Sequence, residues 1–330
     1  MSALVPGAST PKTLLLTRTD VRSLLDPMAL VAPMCEAFVA YSATPDGRAL
    51  RARSTLPGPG TATVLFPGTA PGVPAYSVKV HAKFPAQDPA IRGVLCLHDL
   101  ATGALLAVMD STHLTAVRTG IAGAVAADVL ARPDGDTVAV VGAGLQGTHQ
   151  LRALAALRTL RYVSVYDIVP ERAEAFAAAM AAELHLPVTL APSVADAVAG
   201  ASIVLAATWS KAPFILPGML GPGAHVTTLG PDEPGKAEVD ARVILDALFV
   251  CDDRALAVEL GALRGAGLGL DAVGAELGEV IGGTHPGRMS LEQTTIYGGV
   301  GLAFQDTIAA WQVYQAARSK TTGRDFDFLA

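Results

Sequence analysis

Residues 138–147 read Val-Ala-Val-Val-Gly-Ala-Gly-Leu-Gln-Gly, an apolar β-type run that passes directly into a complete G-x-G-x-x-G. Each glycine has a physical task. Gly142 makes the tight turn, Gly144 lets the backbone approach a pyrophosphate, and Gly147 lets the following helix pack on the strand. The anion then rests on a helix N-terminus, where free N–H groups and the helix dipole favour negative charge. In a chain with 33 glycines this spacing alone is weak evidence, and the flanking strand and helix patterns make it specific. Asp167 ends the next strand, 20 residues past Gly147. A carboxylate there accepts from adenosine ribose hydroxyls and repels a 2′-phosphate. The segment therefore predicts a dinucleotide site for NAD rather than NADP. Asp167 can also cap the helix that begins at Pro170, and no arginine follows it, only Ile168 and Val169.

The surroundings extend this into an architecture. Residues 138–141, 162–166, 188–190, 203–207, 225–229 and 248–251 are compact apolar strands. Between them, residues 146–157, 170–184, 194–199, 219–220 and 239–247 supply helices or helix stubs. Such alternation implies a parallel sheet covered on both faces. A helix from Ser111 or Thr112 to Ala131 leads into it and stops at Arg132-Pro133-Asp134-Gly135. Before that helix the texture is different. Strands at 61–66, 75–80, 94–98 and 104–109 are separated by Gly/Pro clusters, which reads as an antiparallel sheet. Asp20 and the Asp26-Pro27 pair suggest helix starts near the N-terminus, the second helix running to about Ala43 with Pro33 inside it. Residues 300–318 predict one more helix.

Composition excludes several classes. With 51% hydrophobic and 16% charged residues, the 330-residue chain can bury a large core and is not disordered. Lys plus Arg is 24 against 30 Asp plus Glu, a net charge of −6 with no basic block, so nucleic acid is not a partner. Cys35, Cys96 and Cys251 lie far apart and show no metal or disulfide spacing, so no metal site is expected. No apolar run reaches the ~18 residues of a membrane span. Residues 1–11 lack a basic segment followed by an apolar one and read as a short leader rather than a signal peptide. A cytoplasmic protein acting on small molecules, without a membrane partner, is the expectation.

Several segments together resemble the ornithine cyclodeaminase/mu-crystallin family. They are Ser77-Val-Lys79, Leu114-Thr-Ala-Val-Arg118-Thr-Gly, Val141-Gly-Ala-Gly-Leu-Gln146, Gly230-Pro-Asp232-Glu-Pro-Gly-Lys236-Ala-Glu238 and Leu277-Gly-Glu-Val-Ile-Gly-Gly283. The likeness runs from about Asp20 to Tyr314. It implies an α/β fold in which a Rossmann-type doubly wound parallel sheet is inserted into an α+β domain. Residues 116–302 would form the NAD-binding domain, and residues 1–115 and 303–330 the substrate-binding and dimerisation domain of a homodimer. The shared chemistry of such proteins is hydride exchange at an amino-acid Cα through an imine.

The resemblance also assigns residues. Arg53, Lys79 and Arg118 match the substrate-binding cations, suited to a planar carboxylate. Lys79 and Asp232 match the catalytic pair, Asp232 passing a proton to or from the reacting nitrogen. Thr119 matches a cofactor-contacting position and joins Gly142, Gly144, Leu145, Gln146, Gly147 and Asp167. Arg51 competes with Arg53, which is preferred because it lies four residues before Pro57. Bland alternatives stand beside these: a solvated strand lysine for Lys79, an ion pair with Asp110 for Arg118, and a turn aspartate for Asp232. Glu233 and Lys236 suit the turn. His81, His98 and His113 read as structural more readily than as proton shuttles, and Trp209 and Tyr297 are weak candidates for lining the cofactor site.

Two departures bear on the substrate. Ornithine cyclodeaminases carry a glutamate where this chain has Thr63-Val-Leu-Phe-Pro67, and the family's Asp-Ser before Val-Gly is here Gly298-Gly299. Both point away from a long diamine. The expected activity is an NAD-dependent reductase of ketimines or cyclic imino acids, or an amino acid dehydrogenase. A cyclodeaminase that recycles its NAD is the alternative, and a nonenzymatic crystallin-like binding protein a third.

Overall fold

A computed structural model describes residues 12–44, 52–58, 61–84, 87 and 90–328. The expected leader at residues 1–11 and the alternative arginine Arg51 lie outside the described residues. The chain divides into two compact units. One comprises Met1–Asp26, Ala49–Thr115 and Leu302–Ala330, the other Pro27–Arg48 and Ala116–Gly301.

The first unit begins with β1 (Thr13–Leu16) and α1 (Arg18–Leu24). Asp20 does not cap α1. Thr17 does, and Asp20 sits three positions later and accepts from the Thr17 N–H at 2.8 Å, closing a capping box. In the second unit a 3₁₀ turn at Met28–Leu30 leads into α2 (Val31–Ala43), so the helix expected to start at Pro27 starts a turn later. The chain returns to the first unit for β2 (Ala52–Thr55), β3 (Ala62–Thr69), β4 (Ala75–Lys83), β5 (Ile91–Asp99) and β6 (Leu105–Asp110). α3 (Ser111–Leu130) then carries it across the boundary in sequence.

The second unit holds β7 (Thr137–Val141), α4 (Leu145–Leu157), β8 (Tyr162–Tyr166), α5 (Pro170–Leu184) and β9 (Val188–Leu190). It continues with α6 (Val194–Val198), β10 (Ile203–Ala206), β11 (His225–Thr228), α7 (Ala241–Leu245) and β12 (Leu248–Cys251). α8 (Arg254–Glu259), α9 (Ala262–Ala266), β13 (Ala275–Glu276), α10 (Leu277–Ile281) and β14 (Thr295–Gly298) complete it. No helix forms at Met219–Leu220, where Pro217-Gly218 and Gly221-Pro222-Gly223 leave too few residues between breakers. α11 (Ala303–Lys320) and β15 (Arg324–Phe326) belong to the first unit.

Eight parallel strands run β13-β12-β14-β11-β10-β7-β8-β9. Strands β10, β11 and β14 are buried throughout. Side chains such as Val141, Val204, Val226, Phe249 and Ile296 form one continuous core. At about 1.5–3 kcal/mol for each fully buried aliphatic or Phe side chain, this layer dominates the unit's stability. The strand order reverses between β7 and β10, and the crevice outside the carboxyl ends of the strands at such a switch point is where ligands bind.

The first unit's sheet has seven strands in the order β15-β1-β6-β5-β4-β3-β2, all antiparallel except the β1–β6 pair. Its period-2 pattern separates two faces. One carries Val64, Phe66, Leu95, Leu97 and Met109, all buried. α11 lies on it, so close at Gly68 that an added Cβ would come within 2.4 Å of the Ala303 methyl. The other face leaves Leu65, Val80 and Val94 about 40% exposed in one cross-strand row. Among the described residues no single helix is long and apolar enough to cross a membrane.

Candidate active site

The loop after β7 has the form the glycine spacing predicts. Gly142 adopts φ 101°, and a side chain there would strike the Ala207 carbonyl at 2.6 Å, because the loops after β7 and β10 meet at the switch point. Gly147 has no room either: a Cβ would lie 2.3 Å from the Gly142 carbonyl, so α4 packs directly on the turn. Gly144 differs. Its Cβ position faces open space, at the N-cap of a 13-residue helix. Leu145 is exposed beside it, and the side-chain Oε1 of Gln146 is buried without a hydrogen-bond partner in the first turn of α4. An open backbone cradle, a helix N-terminus and an orphaned buried polar atom fit a pyrophosphate-containing cofactor. Asp167 holds this loop, accepting from the Ala143 N–H at 2.8 Å and the Val169 N–H at 2.9 Å. Each oxygen retains a lone pair for a ribose hydroxyl.

α3 brings the next residues beside α4. At Gly120 a methyl would meet the His149 backbone at 2.7 Å, so the two helices cross in contact just after Arg118 and Thr119. Arg118 is buried (4% exposed), and its Nη1 lies 2.8 Å from where a Cβ of Gly301 would stand. Gly301 has φ 94° and is held by Asp252, which accepts from the N–H groups of Val300 (2.9 Å) and Gly301 (2.6 Å). Burial pushes the Asp252 carboxyl up to about 6, the two backbone bonds acting against it. Asp110, the bland partner for Arg118, accepts from Arg18 at 3.2 Å and from the His113 N–H.

Asp232 lies on the loop that follows β11 and takes a hydrogen bond from Lys236 Nζ at 2.7 Å. Lys236 is also 3.2 Å from Glu233 and sits 4.1 Å over the ring of Trp209, so it fastens this loop to the loop after β10. Beneath them Glu238 is fully buried and accepts four hydrogen bonds: Thr208 N–H (2.6 Å), Thr208 Oγ1 (2.7 Å), Thr228 Oγ1 (2.7 Å) and Gly230 N–H (3.1 Å). Burial raises its carboxyl despite these donors. Glu238 ties the carboxyl ends of β10 and β11 together under the Asp232 loop. Sequence reading assigned it no role, although a glutamate between Ala237 and Val239, both buried, was the available signal. Tyr297, weakly expected at the cofactor, is packed inside β14, and burial raises its phenol.

The first unit places Arg53 and Lys79 on one face of its sheet. Arg53 stands opposite Val64, which stands opposite His81, two residues from Lys79 on β4. Arg53 is exposed on the edge strand β2. Lys79 is not the solvated strand lysine: it is fully buried, 2.6 Å from Asp306 of α11 and 4.2 Å over the Phe66 ring. Asp306 is a second residue that sequence reading passed over. His81 lies 2.8 Å from Ser111 Oγ, and His98 stacks on Tyr76. Those contacts give both histidines structural places.

Comparison with known proteins agrees across the chain. The sequence profile of the "Ornithine cyclodeaminase/mu-crystallin family" matches residues 12–321. An archaeal alanine dehydrogenase dimer with bound NAD superposes with a TM-score of 0.89 at 30% identity, covering 96% of this chain and 100% of that one. A Δ1-pyrroline-2-carboxylate reductase from Thermococcus litoralis, in complex with NADH and L-proline, also gives 0.89, at 27% identity over 95% and 100% of the two chains. A lysine cyclodeaminase that recognises L-lysine, L-ornithine and L-2,4-diaminobutyric acid gives 0.86, at 26% identity over 96% of each.

Proposed function

The chain belongs to the ornithine cyclodeaminase/mu-crystallin family, and on that premise we propose that it is an NAD-dependent oxidoreductase acting at the Cα of a small amino or imino acid. The observation that carries the reading is the open cradle at Gly144 with Asp167 holding its loop. Gly142, Gly144, Leu145, Gln146, Gly147 and Thr119 bind the pyrophosphate, and Asp167 binds the adenosine ribose of NAD. When bound, NAD supplies or accepts the hydride. Arg53, Lys79 and Arg118 hold the substrate carboxylate, and Lys79 draws electron density from the reacting carbon. Asp232 takes a proton from the nitrogen as amine becomes imine and returns it on reduction. In this reading residues 116–302 serve the cofactor, and residues 1–115 and 303–330 serve the substrate and a homodimer contact, save that Pro27–Arg48 cluster with the cofactor unit and Leu302 with the other. The exposed row Leu65, Val80, Val94 supports that contact, as does the dimeric state of the archaeal alanine dehydrogenase.

A lysine or ornithine cyclodeaminase is the second reading, favoured by the lysine cyclodeaminase likeness. Against it stands the stretch 63–67, which carries no carboxylate for a second amine and whose Val64 and Phe66 pack with Ala303 in a buried apolar cluster. The test is direct. NADH should be consumed with Δ1-pyrroline-2-carboxylate or Δ1-piperideine-2-carboxylate, or NAD reduced with alanine or proline. Ammonia release from ornithine or lysine at constant NADH would replace this reading with the lyase. NADH binding with no turnover on any of these would leave a binding protein.

A further inference from the structure

Lys79 and Asp306 come from positions 227 residues apart and meet with both side chains almost fully excluded from solvent. The pairing is part of how α11 seats on the sheet. One residue on, Thr307 Oγ1 lies 2.8 Å from Ser77 Oγ and 3.0 Å from the Gly68 carbonyl, and Ala303 packs against Gly68. A buried ammonium with a long flexible stem has several rotamers, and a carboxylate at 2.6 Å selects one. The face around it carries one more buried cation, Lys83, two positions beyond His81 on β4, and little else that is charged. Opposite Lys79 stand Phe66 on β3 and Leu95 on β5. On β4 itself His81 is bonded to Ser111, and Asp99 at the far end of β5 is turned into its own turn, accepting from Ala101 and Thr102. Arg53 adds positive charge one strand beyond β3.

We propose that Asp306 is a positioning residue for Lys79, fixing the direction of its ammonium and keeping it a cation for the substrate carboxylate. The role given to Lys79 rests on the oxidoreductase reading above; the pairing itself does not. A carboxylate in this place opposes the repulsion from Arg53 and Lys83 and offsets the desolvation of a buried ammonium, which the Phe66 ring relieves only in part. The rest of α11 cannot replace it, since Asp306 is its one acidic residue. A purely structural role would be to anchor the helix, and Thr307 and Ala303 already do that.

The test uses the full-length protein with Asp306→Asn and the charge-conserving Asp306→Glu. With NADH and Δ1-pyrroline-2-carboxylate, Asp306→Asn should lower kcat about 100-fold, as a misplaced reacting group does. The alkaline limb of its kcat/KM profile should move to lower pH, because the ammonium loses its carboxylate neighbour. Asp306→Glu should restore the wild-type limb and part of kcat. Spectra of protein carrying ¹⁵Nζ-lysine give a readout that needs no turnover. One slowly exchanging ammonium resonance, absent from Lys79→Met, should be present in wild type and Asp306→Glu and lost in Asp306→Asn. An Asp306→Asn protein with a lower melting temperature but an unchanged pH profile and unchanged Lys79 resonance would overturn the proposal. If the wild type turns over none of these substrates, the oxidoreductase reading fails, and the resonance alone decides the pairing. If Asp306→Asn does not fold, Asp306→Glu decides it: a Lys79 resonance that vanishes although the carboxylate is retained refutes the proposal, and one that persists supports it.

Discussion

Asp167 accepts from two backbone amides, so it shapes the glycine loop in addition to the ribose contact proposed for it. Its neighbour Ile168 is 84% exposed and offers no charge to a 2′-phosphate. Replacing Asp167→Ser together with Ile168→Arg should therefore raise the NADH Kd at least about tenfold, the worth of a charged hydrogen bond, and make NADPH the tighter ligand. Fluorescence titration with both nucleotides checks this; an unchanged NADH affinity would remove Asp167 from the site. Glu238 makes a different kind of contribution. Two of its four donors, Thr228 Oγ1 and the Gly230 N–H, are buried and the two of Thr208 are half-buried, and Glu238→Ala leaves them unpaired, at a cost of about 3 kcal/mol. Urea unfolding should show that loss, and Glu238→Gln should recover part of it. Neither Glu238 nor Asp306 was legible in the sequence. A lone acid among apolar neighbours signals that some partner exists, but the partners lie on other strands and helices.

Gly278 shows how a motif glycine can act through packing of elements. α10 crosses α2 so closely that a Cβ on Gly278 would lie 1.9 Å from the Phe38 carbonyl and 2.5 Å from Ser42 Oγ. Gly278→Ala must push the helices apart and should lower the melting temperature by several degrees, equivalent to about 1–3 kcal/mol of overpacking. The same change at Gly72, where φ is 70° but nothing lies within 4 Å, should cost only the backbone strain. Thermal scans of the two variants separate these causes. The elements most legible in the sequence were those whose local pattern is enough. β8, β9 and β12 fall on the residues expected, and α3 ends within one residue of its expected stop. β14 was missed, although it is central to the sheet. Thr295-Ile-Tyr-Gly298 has two apolar side chains before a glycine pair, and it is a strand because β11 and β12 hydrogen-bond to both of its edges. β1 and β2 are likewise four-residue strands set by their partners, and no period survives in so short a run.

Assembly and pH response belong to the protein as a whole. If the Leu65–Val80–Val94 row is covered by a second copy, Val80→Glu with Val94→Glu should convert a dimer to monomers in light scattering, without unfolding a face that is already exposed. A monomeric wild type would refute that assignment. The acid response follows from two buried groups of opposite sign. Burial, then the charges of Arg288 and Arg158, lower the His225 imidazole from 6.5 to about 3. Below pH 6.5 the unfolded chain takes up this proton and the folded one does not, so stability falls as the pH drops from 6.5 towards 3. Asp252 does the reverse. Its carboxyl rises from 3.8 to about 6, so on acidification the folded state takes up the proton first and gains stability between pH 6 and 3.8. Each contributes about 1.4 kcal/mol per pH unit, so from pH 6 to pH 4 they nearly cancel. Asp252→Asn removes the gain and leaves the loss. Between pH 6 and pH 4 that variant should lose about 3 kcal/mol more than wild type, whatever its stability at neutral pH. His225→Gln should show the opposite, a smaller fall on acidification than wild type. Urea unfolding at half-unit pH intervals reads both slopes, and parallel curves for the three proteins would mean that neither group titrates differently in the folded state.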